Sequence, residues 1–282
     1  MKKKIGALLI AGVMAVASLA GCSSGSSADA TKTTTQAATQ AATQANSDSK
    51  GGTFTVGFDQ DFPPMGFVDE KTGEYTGFDL ALAAEVAKRL GLEVKYQPIA
   101  WDSKDMELSS GTIDCIWNGF TMNGREDDYT WSEPYMKNDQ VFVVKADSGI
   151  KSSKDLAGKI VDVQTDSSAQ AALNDNKTLS DTFGQLIVVD NYNSAFMELE
   201  SGAVDAIAMD NTVASYQISK RGANFAVLDE SIAAEEYGIG FKKGNTELRD
   251  KVQNTLEEMA KDGTMAKISE EWFGKDITTI GK

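Results

Sequence analysis

Two residues frame the chemistry open to this chain. Arg125 follows a short polar run, Thr121-Met122-Asn123-Gly124, and Asp210 closes the apolar run Val204–Met209. An arginine fork donates two parallel hydrogen bonds to a carboxylate, and an aspartate suits an ammonium. Facing each other, they would clamp a zwitterion, one charge from each side. Both ends of such a ligand lose water on binding, so each needs an opposite charge and good hydrogen bonds. Arg125 would serve equally well in a surface ion pair with Glu126 or Asp127, and residue type alone leaves the two readings level. The 282 residues include no histidine. That removes Ser-His-Asp and Cys-His catalysis and argues against zinc, while leaving carboxylate chemistry open. No metal or organic cofactor is implied, and no P-loop pattern offers ATP chemistry. With 42 acidic against 27 basic residues, a net charge of −15, the surface repels nucleic acid and anionic lipid.

The elements that must position Arg125 and Asp210 alternate between strand and helix from Gly51 onward, which argues an α/β fold. Thr53–Phe58, Leu92–Ile99, Ile113–Asn118 and Gln140–Val144 read as strands. Asp79–Leu90 reads as a helix with Asp79 at its N-cap. The pattern then restarts: strands at Lys159–Val163, Gln185–Val189 and Val204–Met209, helices at Ser167–Leu173 and Ala195–Ser201. Thr246–Lys261 is an amphipathic helix with Leu248, Val252, Leu256 and Met259 on one face. Glu107-Leu108-Ser109-Ser110-Gly111-Thr112-Ile113-Asp114 matches Glu198-Leu199-Glu200-Ser201-Gly202-Ala203-Val204-Asp205, each a helix end, a glycine cap and a strand. The echo suggests two similar lobes, with ligand beyond the carboxyl ends of equivalent strands. Those ends are Asn118-Gly119-Phe120-Thr121 and Met209-Asp210.

The amino-terminal fifty residues read as an address and a tether. Lys2, Lys3 and Lys4 precede a short apolar run over residues 5–17, too short to span a bilayer comfortably. Leu19-Ala20-Gly21-Cys22 resembles the bacterial lipoprotein box, which implies cleavage before Cys22 and a lipid on its sulfur. Residues 23–50 are Ser, Thr, Gln, Ala and Gly with almost no large apolar side chains, the composition of a disordered linker. Cys115, in an apolar run, reads as a buried strand residue, so no disulfide framework is expected.

Further runs carry a family resemblance. They are Gly77-Phe78-Asp79-Leu80-Ala81-Leu82, Asn118-Gly119-Phe120-Thr121 with Arg125, Trp131-Ser132-Glu133-Pro134-Tyr135, Asp155-Leu156-Ala157-Gly158-Lys159 and Val163-Gln164-Thr165-Asp166-Ser167-Ser168-Ala169. In this order the chain resembles, over residues 52–274, the polar amino-acid-binding proteins of ABC importers, solute-binding family 3. The resemblance implies that Arg125, helped by Thr121 and Ser168, binds a substrate carboxylate. It implies that Asp210 takes the ammonium, that Phe62 covers the substrate and that Asp59 reads polar side-chain ends. Backbone groups of Asn118 and Gly119 are expected to contribute. Trp117, and less so Trp101, reads either as pocket lining or as core. The chain departs from the family pattern in a Thr121-to-Arg125 loop one residue short, in Asp166 where glycine is usual, and in Ala81 where an acid is usual.

The expected architecture is a two-lobed periplasmic-binding-protein-like α/β fold, each lobe a mixed sheet flanked by helices. Residues 1–21 are a signal peptide and 22–50 a lipidated tether. Residues 51–144 form lobe 1, 145–232 lobe 2, and 233–282 return to lobe 1. The chain should cross between lobes near Val143–Lys145 and Asp229–Tyr237, a two-segment hinge that closes on ligand. The expected protein is an extracytoplasmic lipoprotein on the outer face of the cell membrane. It is a monomer that passes a free polar L-amino acid to a membrane permease, with glutamine, lysine, arginine or cystine all compatible. Two rivals stand beside it: a dehydratase-like enzyme using Asp59 or Glu236 as proton donor, and a ligand-sensing module.

Overall fold

The computed structural model describes residues 51–222 and 224–282. The signal peptide, Cys22 and the linker lie outside the described residues. The first half builds β1 (Thr53–Phe58), a small hairpin sheet of β2 (Asp61–Phe62), β3 (Gly66–Val68) and β4 (Tyr75–Thr76), then α1 (Phe78–Arg89) and β5 (Glu93–Pro98). After a 3₁₀ turn at Trp101–Ser103 come α2 (Lys104–Ser110), β6 (Cys115–Thr121), β7 (Thr130–Trp131) and β8 (Met136–Lys145). The second half builds β9 (Ile160–Gln164), α3 (Ser168–Asp175), α4 (Lys177–Ser180) and β10 (Gln185–Val189), then α5 (Tyr192–Ser201), β11 (Ala206–Asp210) and α6 (Asn211–Arg221). β12 (Phe225–Phe241) carries the chain back, and α7 (Thr246–Lys261) and α8 (Thr264–Phe273) come last.

One nine-stranded mixed sheet runs β10-β9-β11-β8-β12-β6-β1-β5, with β7 beside β12. β1 pairs in parallel with β5 and β6 at one end, and β9 with β10 and β11 at the other. The antiparallel pair of long strands, β8 and β12, runs from Lys145↔Phe225 to Met136↔Tyr237 and joins the two halves. Both expected crossings lie within these strands. Because β8 and β12 pair with each other along the way, the two lobes share one sheet instead of each closing its own.

The helices form where apolar spacing meets a stop. In α1, Leu82, Val86 and the neighbouring Ala83 and Ala87 are buried, while Lys88 and Arg89 sit in the last turn, favourable to the helix dipole. α2 and α5 both end on a left-handed glycine, Gly111 (φ 80°, ψ 18°) and Gly202 (φ 82°, ψ 18°), a conformation costly for any side chain. The main core runs across both halves, from α1, β1, β6, α7 and α8 through β8 and β12 to α5, β11 and α6, with Phe54, Trp117, Tyr135, Leu256, Phe196, Ile207 and Val213 within it. A second cluster, including Phe142, Val161, Val163, Leu173 and Ala208, fills the α3 side of the second half. Cys115 is buried and unpaired in β6. Among the described residues, no helix is long and apolar enough to cross a membrane.

The α1 start corrects the sequence reading. The N-cap is Gly77, and Asp79 lies inside the first turn, fully buried. Its Oδ2 accepts hydrogen bonds from the Gly119 N–H (2.6 Å) and the Tyr135 hydroxyl (2.8 Å). Burial pushes this carboxyl up to about 7 despite those donors.

Candidate functional site

The carboxyl ends of β6 and β11 come together, as the echo of helix, glycine and strand suggested. Phe62, Gly119, Thr121, Arg125, Ser168 and Asp210 line one small cavity between the halves, together with Trp101, Gln164 and Ser167. Its volume of about 10 Å³ has room for roughly a single water. A larger ligand therefore enters only when the halves part.

At one end stands Arg125, placed by the turn after β6. Its Nη1 donates to the Thr121 carbonyl and its Nη2 to the Asp166 carbonyl across the cleft, both at 3.2 Å, and its guanidinium lies 5.3 Å from the Phe120 ring. Glu126 and Asp127 are exposed, and among the described residues no ion pair with either forms. The guanidinium thus holds only carbonyl oxygens, weaker partners than a carboxylate. Ser168 opens α3, whose N-cap Ser167 accepts from the Gln170 N–H. The Ser168 hydroxyl shares a hydrogen bond with the Thr121 hydroxyl (3.0 Å) and accepts from Gln140 Nε2 (2.9 Å). The positive end of a helix dipole beside Arg125 favours an anion there. Asp166 holds left-handed backbone (φ 51°) and turns its half-exposed carboxylate to the buried Lys104 of the opposite half. It belongs to a contact between the halves and does not face the cavity.

At the other end Asp210 is buried at the close of β11. Its Oδ1 accepts from the Tyr237 hydroxyl (2.6 Å), Gln140 Nε2 (2.9 Å) and Asn138 Nδ2 (3.3 Å). Among the described residues no donor reaches its Oδ2, and Asp210 lines the cavity. Burial first, then the charge of neighbouring Glu235, holds the Asp210 carboxyl well above the usual range.

Asp59 sits just past β1 and lines a neighbouring opening, with Asp61, Trp101, Asp102 and Asp190. Its Oδ1 accepts from the Asp61 N–H (2.8 Å) and its Oδ2 from Gln164 Nε2 across the cleft (2.7 Å), and burial raises its carboxyl to about 6. Phe62 packs 5.9 Å from Tyr192 of the other half.

Three expectations change. Trp117 is fully buried 6.2 Å from Tyr135 and lines neither opening, because β6 runs on to Thr121 and leaves Trp117 in mid-strand. Trp101 takes the place at the cavity instead. Asn118 is buried with its side-chain amide facing no hydrogen-bond partner among the described residues. The Gly119 N–H is already held by Asp79, so Gly119 contributes its position (φ 57°) and not its donor. Glu236 is half-buried on the other face of β12 from the cleft; Glu235, one residue earlier, is the buried acid.

Sequence reasoning missed Glu235, Gln140, Asn138 and Gln164. A signal existed for three of them: Asn138 and Gln140 stand two apart on β8, and Glu235 stands two before Tyr237 on β12, so each pair shares one face of its strand.

Residues 54–275 match the bacterial extracellular solute-binding proteins, family 3. The L-cystine-binding protein TcyJ of Escherichia coli is 33% identical over 97% of this chain and 98% of its own length. The L-cystine-binding protein TcyA of Bacillus subtilis is 32% identical over 99% and 100%. A Streptococcus pneumoniae ABC uptake transporter substrate binding protein, solved with bound histidine, superposes with a TM-score of 0.78 at 36% identity, covering 80% of this chain and 94% of that one. With a cleft of this make-up and a match over most of its length, the chain belongs to the bacterial extracellular solute-binding proteins of family 3.

Proposed function

We propose that this protein captures a free polar L-amino acid between its lobes and delivers it to the membrane permease of an ABC importer. One observation carries the reading: a guanidinium bound only to carbonyl oxygens, Arg125, shares a cavity with a buried carboxylate that has an unengaged oxygen, Asp210. A zwitterion satisfies both at once, and only the closed arrangement presents both. The lobe boundaries then fall within β8 and β12, whose bending lets the halves part. The side chain would leave past Trp101 and Asp59 into the adjoining opening of about 540 Å³, whose aspartates suit N–H donors. L-cystine, named for two relatives, and glutamine, arginine and lysine are the first ligands to try. We further propose a lipid on Cys22 that tethers a monomer to the outer face of the membrane, through the Ser/Thr/Gln/Ala-rich run. The role is binding and not catalysis, since Glu236 lies off the cleft and Asp59 is tied to Gln164.

The test is calorimetry with refolded, ligand-stripped protein against the amino acids, cystine and ornithine. Tight one-to-one binding of one or a few is expected. If none binds, the capture reading fails. Mass spectrometry of protein from membranes, with Cys22→Ala beside it, tests the lipid; loss of the membrane fraction in the variant is expected.

A further inference from the structure

Glu235 stands directly behind Asp210, on the strand that returns the chain to the first lobe. It is buried, and no sequence motif marks it. Its Oε2 accepts from the Thr121 hydroxyl (2.8 Å), and its Oε1 lies 2.6 Å from Asn138 Nδ2 and 2.9 Å from Gln140 Nε2. Those two amides also serve Asp210.

The four amide hydrogens of Asn138 and Gln140 only match the four oxygens they face, and none reaches Asp210 Oδ2. Asn138 Nδ2 carries two and faces three oxygens: Asp139 O, Asp210 Oδ1 and Glu235 Oε1. Gln140 Nε2 carries two and faces Ser168 Oγ, Asp210 Oδ1 and Glu235 Oε1. Meanwhile Gln140 Oε1 is buried with no donor near it among the described residues. Two adjacent carboxylates away from water, held by neutral donors alone and with no cation in contact among the described residues, resist double ionisation. The surroundings add little positive charge. Tyr237 donates a hydrogen bond from β12, and the Tyr192 phenol faces the pair from α5. Thr121 and Ser168 are neutral, Asp59 lies near Tyr192, and Arg125 across the cavity is the one cation among the described residues that line it.

We propose that Asp210 and Glu235 hold one proton between them in the ligand-free protein, and that an arriving ammonium displaces it to solvent. The carboxyl O–H bond breaks, the proton passes to buffer, and the ammonium's charge replaces it. Glu235 is then a positioning residue that sets the charge of Asp210 without touching the ligand. The inference rests on the capture reading and adds a proton count to it. The sign of the pH dependence is then set: ligand competes with a proton, so binding weakens as pH falls and levels off where that proton is already lost.

The experiment is calorimetry of the whole protein in phosphate and in Tris at matched pH, from about pH 5 to about pH 7.5, below ligand amine titration. The probe is whichever of L-cystine, L-glutamine and L-arginine binds tightest. The buffer dependence of the enthalpy reads protons released, expected to approach one per ligand at the acid end. Glu235→Gln should bind with little or no release, and Asp162→Asn, at a buried carboxyl of β9 that does not line the cavity, should release as the parent does. Equal enthalpies in both buffers, undiminished release in E235Q, or release lost in D162N would each overturn the proposal. If E235Q does not fold, the parent alone decides: log Kd should change by up to one per pH unit, and a flat line overturns the idea. Binding without proton release would sink this inference and leave capture standing, whereas absence of binding by every amino acid would sink both.

Discussion

Glu107–Asp114 and Glu198–Asp205 fold alike down to single hydrogen bonds. Each helix ends on a glycine at nearly the same left-handed angles. Each closing aspartate then bridges the start of the next strand to its parallel neighbour. Asp114 Oδ2 accepts from the Thr55 N–H (2.7 Å) while its own N–H donates to the Thr55 carbonyl (2.8 Å). Asp205 Oδ2 accepts from the Ile160 N–H (2.9 Å) and its N–H donates to the Ile160 carbonyl (2.8 Å). The strands then end differently: β6 in Thr121 and the turn to Arg125, β11 in Asp210. The repeated unit decides where a side chain arrives, and the few residues beyond it decide which charge arrives. One scaffold used twice thereby yields the two opposite ends of a site.

The largest effects should come from those ends. Arg125→Ala removes the cation that lines the cavity, and truncating one partner of a desolvated charge pair costs about 2–5 kcal/mol, roughly 30- to 4,000-fold in Kd. Asp210→Ala should cost less, because Glu235 keeps a carboxylate behind the gap. Equal losses, or a greater loss for D210A, would break that asymmetry. Calorimetric titration reads both.

Next comes a difference between the lobes in their helices. α1 carries buried Asp79 in its first turn, and α3 carries no acid there. The folded-state carboxyl of Asp79 titrates at about 7, above its ordinary value of 3.8. Its contribution to stability is therefore complete below about pH 4 and lost as pH rises through about 7. Urea unfolding across that window should show a falling slope that Asp79→Asn removes. An unchanged slope would mean that another group carries it.

Asp114→Ala and Asp205→Ala should each cost about 1–3 kcal/mol, the penalty for a strand N–H left without its acceptor. Nearly equal drops in Tm are expected, since both aspartates do one job. A large inequality would show the likeness to be one of shape and not of energy.

The smallest effect concerns the Lys104–Asp166 pair between the halves. Asp166 is half exposed, so water screens the pair and about 1 kcal/mol or less is expected. Asp166→Gly keeps the left-handed turn and removes the charge. Ligand release measured by stopped flow should quicken a few-fold at low salt and little at high salt. A rate equal to the parent's at low salt would show that the pair does not restrain opening.

Much of the frame was legible in the sequence. Thr53–Phe58, Gln185–Val189 and Thr246–Lys261 carry the apolar spacing of their elements and form at those limits. Arg125 and Asp210 were legible because strand ends are where open α/β sheets place ligand groups. The second rank was not. Every residue of β6 is buried, so alternation cannot tell Trp117 in the core from Thr121 at the cavity. β12 shifts register between Val227 and Ala233, and a shift of one residue exchanges the faces of Glu235 and Glu236. The α1 start was misplaced because an aspartate before an apolar run reads as a cap, whereas Asp79 is spent on the N–H of Gly119, forty residues away.

The return of the chain through β12 also sets an order of assembly. A polypeptide emerging from its amino end presents β1, β5 and β6 early, yet the β12 neighbour of β6 arrives only after residue 225, and the α7 and α8 cover of α1 later still. Residues 160–210 already hold the whole β9, β10 and β11 set with α3 and α5. The half encoded second is thus the first to have its strands and covering helices together, while the half encoded first, its parallel strands already made, waits with an apolar face uncovered. Nascent chains halted near residue 230 should yield a protease-resistant fragment from the second half and none from the first. Lesions in α7 or α8 would then lower the amount of protein that survives synthesis before they alter what the survivors bind.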